Sequence, residues 1–294
     1  MFLPAGYPSS VSPDYANWLP WHLASLLCRK TLEVLTTQSL VVAVGLGSSP
    51  AAVPLAAAAK WVLKDGVGSV GTLVSGTLGG QRFDEDPKRY WALSSALEDL
   101  ARALELLTPA FPAYFLPLAG GAAFVRSLAL VGRNSLLNGT IMRHLGAAEN
   151  FADVRAKLEV QGRLLTLLSL PIGLLLFRAA ASAAGADVGG TLVGVGGDIA
   201  PEHASALPVL LAYASVFCVH NLCCWRAAVA LELPTLNRRR LGFCAQQYIA
   251  RGDVPTPAEA AAAEGVYADR LPEGAVQIGA PLSAVALGRD EVRR

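Results

Sequence analysis

The chain has 294 residues, of which 53% are apolar and only 16% charged, with a mean hydropathy of +0.43. Soluble domains carry about a quarter charged residues, so this balance points to a membrane-embedded chain and excludes a disordered one. The 24 basic and 23 acidic residues leave a net charge of +1, far from the basic excess that phosphate neutralisation needs, which excludes nucleic acid as a partner.

From Met1 to Pro8 the chain has neither a basic stretch leading into an apolar core nor an Arg/Ser-rich leader, and no targeting address is legible there. Val34 to Ala59 is free of Asp, Glu, Lys and Arg but holds Pro50 and Pro54. A helix is therefore predicted from near Lys30 to near Gly47, and a second from about Pro54. That second helix carries Lys60, Lys64 and Asp65. Ionisable groups beside an apolar run either face a bundle interior or sit at head-group level, and Arg126 faces the same choice. Gly66-Val67-Gly68-Ser69-Val70-Gly71 spells the dinucleotide-binding fingerprint. It follows an Ala-rich helical stretch rather than a strand, so the reading here is close helix packing through Gly71, Ser75 and Gly79, spaced four apart.

Asp86 followed by Pro87 predicts an N-cap and a first helical residue. The helix runs to Leu107, with Trp91, Leu97, Leu100, Leu104 and Leu107 as the apolar stripe and Glu98, Asp99, Arg102 and Glu105 as a solvated face. Leu106 to Val125 is uncharged, but Pro109, Pro112 and Pro117 must break or kink it. Asn138-Gly139-Thr140 has the letters of a glycosylation sequon and reads as a turn near the membrane. Phe151, Val154 and Leu158 recur at helical steps and lead into Leu164 to Phe177, flanked by Arg163 and Arg178. Gly185 to Gly197 reads as a flexible loop, and Ala204 to Trp225 as the cleanest membrane span. Arg238-Arg239-Arg240 marks the positive-inside face. After Gly252, proline and an Ala/Glu-rich tract signal a soluble extension.

Cys28, Cys218, Cys223, Cys224 and Cys244 form an odd, irregular set, read as reduced thiols. His220, Cys223 and Cys224 can share a helix face, but without a second ligand pair they read as packed cysteines beside a bonded histidine, so no metal is expected. Neither G-x-S-x-G, S-x-x-K nor H-E-x-x-H occurs, and the expectation is a protein that is not an enzyme.

Several blocks together resemble one family. Phe2-Leu3-Pro4-Ala5-Gly6-Tyr7-Pro8-Ser9-Ser10-Val11 with Asp14-Tyr15, then Trp61-Val62-Leu63-Lys64-Asp65-Gly66, are similar to the opening of the root UVB sensitive family. Asn150-Phe151-Ala152-Asp153-Val154 with Ala156-Lys157, Leu233-Pro234-Thr235-Leu236-Asn237-Arg238 and Val254-Pro255-Thr256-Pro257 follow in the family's order. Cys223-Cys224-Trp225 departs from a more usual Ala-Asn-Tyr. The resemblance implies a membrane-associated protein, often of plastids or other organelles, linked to root UV-B responses, early development and vitamin B6 homeostasis. It implies another family member as partner, no established reaction and no cofactor. Its matching polar positions, Lys64, Asp65, Asn150, Asp153 and Lys157, are the candidate polar site.

The expectation is thus an all-α, membrane-embedded bundle of four or five spans, contacting membrane lipid, over residues 1–251, with a short soluble extension over 252–294. The function expected is a non-enzymatic membrane component. Two alternatives stand beside it. Proline-broken spans near Lys60, Lys64 and Asp65 fit a small-molecule carrier for a B6-like vitamer. Lys157 as a Schiff-base lysine fits an enzyme acting on such a vitamer.

Overall fold

The computed structural model describes residues 2–43, 54–77, 86–183 and 207–266. Every regular element among them is helical, and the fold is all-α. The chain divides into two compact units, residues 1–230 and 231–294.

In the first unit, α1 spans Tyr15–Ala43, α2 Pro54–Thr77, α3 Pro87–Leu106, α4 Gly121–Leu136, α5 Phe151–Ala183 and α6 Leu207–Ala230. Helix α1 packs against α6, α5 and α3, while α4 packs against α2 and α3, so α1 and α3 occupy the middle of the bundle. α1 starts well before the predicted Lys30. The Asp14 carbonyl accepts hydrogen bonds from the Asn17 and Trp18 amides, and the first turns then bury Tyr15, Trp18 and His22. Arg29, Lys30 and Glu33 do not bound the helix; they lie in its middle. Its predicted end near Gly47 falls outside the described residues.

Asp86 caps α3 by accepting from the Arg89 amide at 3.4 Å, with Pro87 at the first helical position. The prolines after Leu106 break the chain into 3₁₀ turns at Thr108–Ala110 and Pro112–Tyr114 and a π-helical turn at Leu116–Gly120, so Leu106 to Val125 forms no single span. Asn138-Gly139-Thr140 lies in a second π-helical turn, Leu137–Ile141.

Two described helices, α5 and α6, are long and apolar enough to cross a bilayer, rather than four or five. Their 33 and 24 residues reach about 50 and 36 Å at the α-helical rise, against a hydrocarbon core of about 30 Å. Gly173 lets α5 press against α1, for a Cβ there would lie 2.7 Å from the Cβ of Val34. The expected loop at Gly185–Gly197 and the first residues of the Ala204 span fall outside the described residues.

Helices α2 and α4 meet at Gly71, where a Cβ would stand 2.5 Å from the Phe124 carbonyl oxygen, and Ser75 donates to the Leu128 carbonyl across the same seam at 3.3 Å. Gly79 is not among the described residues. Backbone cannot retreat as a side-chain tip can, so Gly71→Ala is expected to cost about 1–3 kcal/mol. Gly66, with open space around its Cβ position, is the control, and Gly66→Ala should gain up to about 1 kcal/mol of helix propensity. Thermal unfolding in detergent reads both, and a Gly71→Ala midpoint at or above the parent's would rule out this tight seam.

In the second unit, α7 spans Arg238–Arg251 and α8 Pro257–Ala263. Asn237 caps α7 by accepting from the Arg240 amide, and Gly252 ends it with φ of 80°, a left-handed conformation that suits glycine. Thr256 and Glu259 form a capping box on α8, and the hydrogen bonds from Thr256 hold the Glu259 carboxyl below its ordinary range. Arg240, read from sequence as a marker of sidedness, is buried: its guanidinium donates to the Leu233 and Thr235 carbonyls and pairs with Glu264 at 2.5 Å.

Candidate functional site

Glu98, Asp99, Arg102 and Glu105 fall on one side of α3 because residues three and four apart are neighbours on a helix. That side points inwards: none of the four is more than 2% exposed. Leu93, Leu97 and Leu100 of the same helix are exposed, Leu93 and Leu100 by more than half. The predicted solvated face is therefore the buried one, and most of the predicted apolar stripe is not; Trp91 alone is fully inside. The physical reason lies in the partners. A buried charge is tolerated only when paired and hydrogen-bonded; α1, α4 and α6 supply partners for the three carboxylates, and Arg102 is paired within α3.

Glu98 is the hub. Its carboxylate takes the Arg102 guanidinium of the next turn, Arg29 Nη1 from α1 at 3.5 Å and Arg133 Nε from α4 at 3.1 Å. Asp99 receives Arg102 Nη1 at 3.2 Å on one oxygen; on the other it meets His220 Nδ1 and Asn221 Nδ2 from α6. The Tyr213 hydroxyl donates to the Asp99 carbonyl at 2.7 Å, and Cys224 Sγ lies 3.3 Å from His220 Nε2. Glu105 takes Arg126 Nη1 at 2.9 Å. An unbroken ionic chain thus runs from Arg29 and Arg133 through Glu98, Arg102 and Asp99 to His220. His220 and Cys224 are bonded within it, and among the described residues no group of His, Cys, Asp and Glu is arranged to hold a metal ion.

Two cavities open beside this chain. One, of about 530 Å³, is lined by six basic and three acidic residues, among them Arg29, Lys64, Arg126, Glu98 and Glu105. The other, of about 480 Å³, adds Arg155 and Arg163. Arg29, Lys30, Arg133 and Asn134 border both. Both volumes lie in the range of small-molecule sites, about 300–1,000 Å³.

The five polar positions chosen from sequence fall into two groups. Lys64 lines the larger cavity, is buried, and sits over the Trp61 ring at 4.8 Å while pairing with the exposed Asp65 at 3.0 Å. Lys60 lies 5.6 Å over Phe115, and Arg126 makes the internal pair described above. Asn150, Asp153 and Lys157 stand at the start of α5, where the Asn150 carbonyl accepts the first amides, from Asp153 and Val154. Asp153 accepts from the Ala5 amide at 2.7 Å and lies 4.0 Å from Lys157. Gln161 donates to the Phe2 carbonyl at 2.7 Å, and His144 meets Asp14 at 2.8 Å. Asp153 and Gln161 therefore tie down the opening segment, and among the described residues no hydrogen bond or ion pair joins the α5 group to Lys64 and Asp65. Arg29, Glu98, Arg102, Arg133 and His220 were missed as site residues. The signal available for α3 was a charged helix face in a chain of membrane composition, where polar faces turn inward.

A model of the vitamin B6 photo-protection and homoeostasis domain matches residues 1–252. The chain belongs to the root UVB sensitive family. Similar members include root UVB sensitive 2, chloroplastic, of Arabidopsis thaliana, 31% identical over all of this chain and 62% of its own length. Root UVB sensitive 3 of the same plant is 26% identical over 90% of this chain and 55% of its own. A family member of Dictyostelium discoideum is 27% identical over 90% and 47%. The chain spans about half to two thirds of the length of these relatives. No solved structure matches it.

Proposed function

We propose that this protein is a membrane-embedded carrier for a small polar solute of vitamin B6 homeostasis, and that it moves its solute without catalysing a reaction. The observation that carries this reading is the inverted polarity of α3, with Glu98, Asp99, Arg102 and Glu105 buried and Leu93, Leu97 and Leu100 exposed. In water this arrangement wastes apolar burial; in a bilayer it is the stable one, because lipid covers the leucines and ionic groups meet only one another. α2 and α5 also expose apolar side chains, Val62, Leu63, Val70 and Leu73 on one and Leu164, Leu167, Leu170 and Leu175 on the other. α5 and α6 supply the spans, and lipid or a second family member covers the exposed faces. The π-helical turn and proline breaks before α4 are the kind of interrupted helix that lines solute paths. The solute class comes from the domain description, and a plastid membrane from the name of one relative.

The test is carbonate extraction with protease protection of end tags, followed by uptake of labelled B6 vitamers into proteoliposomes. Retention in the pellet and saturable uptake are the expected results. Release by carbonate would remove the membrane reading, and retention without uptake of any vitamer would leave a membrane protein that is not this carrier.

A further inference from the structure

We propose that the wall shared by the two cavities is a binding site for a phosphate monoester, recognised by Arg29, Lys30 and Arg133. This rests on the carrier reading for its setting and adds the chemical class of the solute.

The wall is over-supplied with positive charge. Glu98 is one carboxylate answering three guanidinium groups, those of Arg29, Arg102 and Arg133. Among the described residues only Arg102 has a second carboxylate, that of Asp99. Arg29 and Arg133 have no second carboxylate within ion-pair distance among these residues, border both cavities, and are largely screened from solvent, with side chains 14% and 10% exposed. Arg133 Nε lies within ion-pair distance of Glu98 but makes no hydrogen bond, nor does Glu98 Oε2, so the guanidinium is held by charge and not by a closed fork. Lys30 adds a third cation, whose partner Glu33 is itself half exposed.

Two guanidinium forks and an ammonium around one cavity wall match a tetrahedral oxyanion. Each arginine can give a bidentate pair of N–H donors to phosphate oxygens, and the lysine a point charge. With Arg102 paired to Asp99 and Lys30 to Glu33, Glu98 leaves one charge of Arg29 and Arg133 unanswered, which a neutral solute would not compensate and an anionic phosphoryl group does. The larger cavity also offers Leu40, Leu130 and the ring of Trp61, an apolar side against which a flat heterocycle can lie while its phosphoryl group meets the arginines.

The experiment uses the full chain in phosphatidylcholine nanodiscs and calorimetric titration with pyridoxine 5′-phosphate, pyridoxine and inorganic phosphate. These vitamers lack the aldehyde that would form imines with lysines. The phosphorylated vitamer should bind at least about tenfold more tightly than pyridoxine, and millimolar phosphate should compete with it. Arg133→Gln should weaken it about tenfold, and Arg133→Lys should recover only part, since it restores charge without the fork. Lys30→Gln breaks no fully buried pair and serves as the variant whose folding is not at risk. Equal affinity for the two vitamers, indifference to phosphate, or full affinity in folded Lys30→Gln and Arg133→Gln each overturn the site. The two proposals separate cleanly: uptake of pyridoxine with no phosphate preference keeps the carrier and removes the site, while phosphate-dependent binding without uptake keeps the site and removes the carrier.

Discussion

Glu98→Ala is expected to destabilise the helical bundle by about 3–5 kcal/mol, a large share of what holds an ordinary domain together. Glu98 is 1% exposed and answers Arg29, Arg102 and Arg133 together, so its removal leaves Arg29 and Arg133 without their carboxylate in a poorly solvated interior. Glu98→Gln keeps the volume and loses the charge, and should cost nearly as much, which separates the electrostatic cause from a packing cavity. Glu33→Ala is the contrast. It also breaks an ion pair, with Lys30 at 2.8 Å, but the pair is partly solvated and its loss should stay within about 1 kcal/mol. Thermal unfolding followed by circular dichroism in detergent ranks the three. If Glu98→Ala and Glu33→Ala shift the midpoint equally, water reaches Glu98 and the dry ionic interior is wrong.

Leu167→Arg should prevent stable membrane integration. Leu167 lies one turn inside the apolar run that follows Arg163 in α5 and is 64% exposed, so in a bilayer its side chain meets hydrocarbon. A charge on the lipid face of a membrane helix costs up to about 2.5–3.5 kcal/mol relative to insertion of the parent helix, the most at its centre. On a protein bathed in water the same exchange at an exposed site would fall within about 0.5 kcal/mol and improve solubility. The measurement is the carbonate-resistant fraction of the variant beside Arg163→Leu, a change at a flanking arginine that should leave integration intact. A fully integrated Leu167→Arg would place α5 at a wet surface and take the carrier reading with it.

Local features were legible and global ones were not. The Asp86-Pro87 start of α3, the break at Pro109, Pro112 and Pro117 and the continuous run from Phe151 through Phe177 follow from hydrogen bonds and ring sterics within a turn or two. The start of α1 was misplaced because Arg29, Lys30 and Glu33 look like a helix edge when read alone; the side chains that neutralise Arg29 are on α3. Of the candidate site, Lys64 was legible as a costly charge beside an apolar run. Asp153 and Lys157 were found from a block of the family, yet their neighbours tie down the opening segment and do not line the larger cavity.

The sequence by itself determined that this protein is all-α, that Leu164 to Phe177 and Ala204 to Trp225 are strongly apolar, and that α3 has one charged and one leucine face. Periodicity and hydropathy are properties of neighbours along the chain, so they need no tertiary information. Which face of α3 is buried was decided by the tertiary structure alone. Periodicity gives the two faces the same signal whether the surroundings are water or lipid, and the partners that make burial affordable stand far away, His220 being 121 residues from Asp99. The excess of cations at Arg29 and Arg133 is likewise invisible in a chain whose net charge is only +1, because it exists only where α1, α3 and α4 meet.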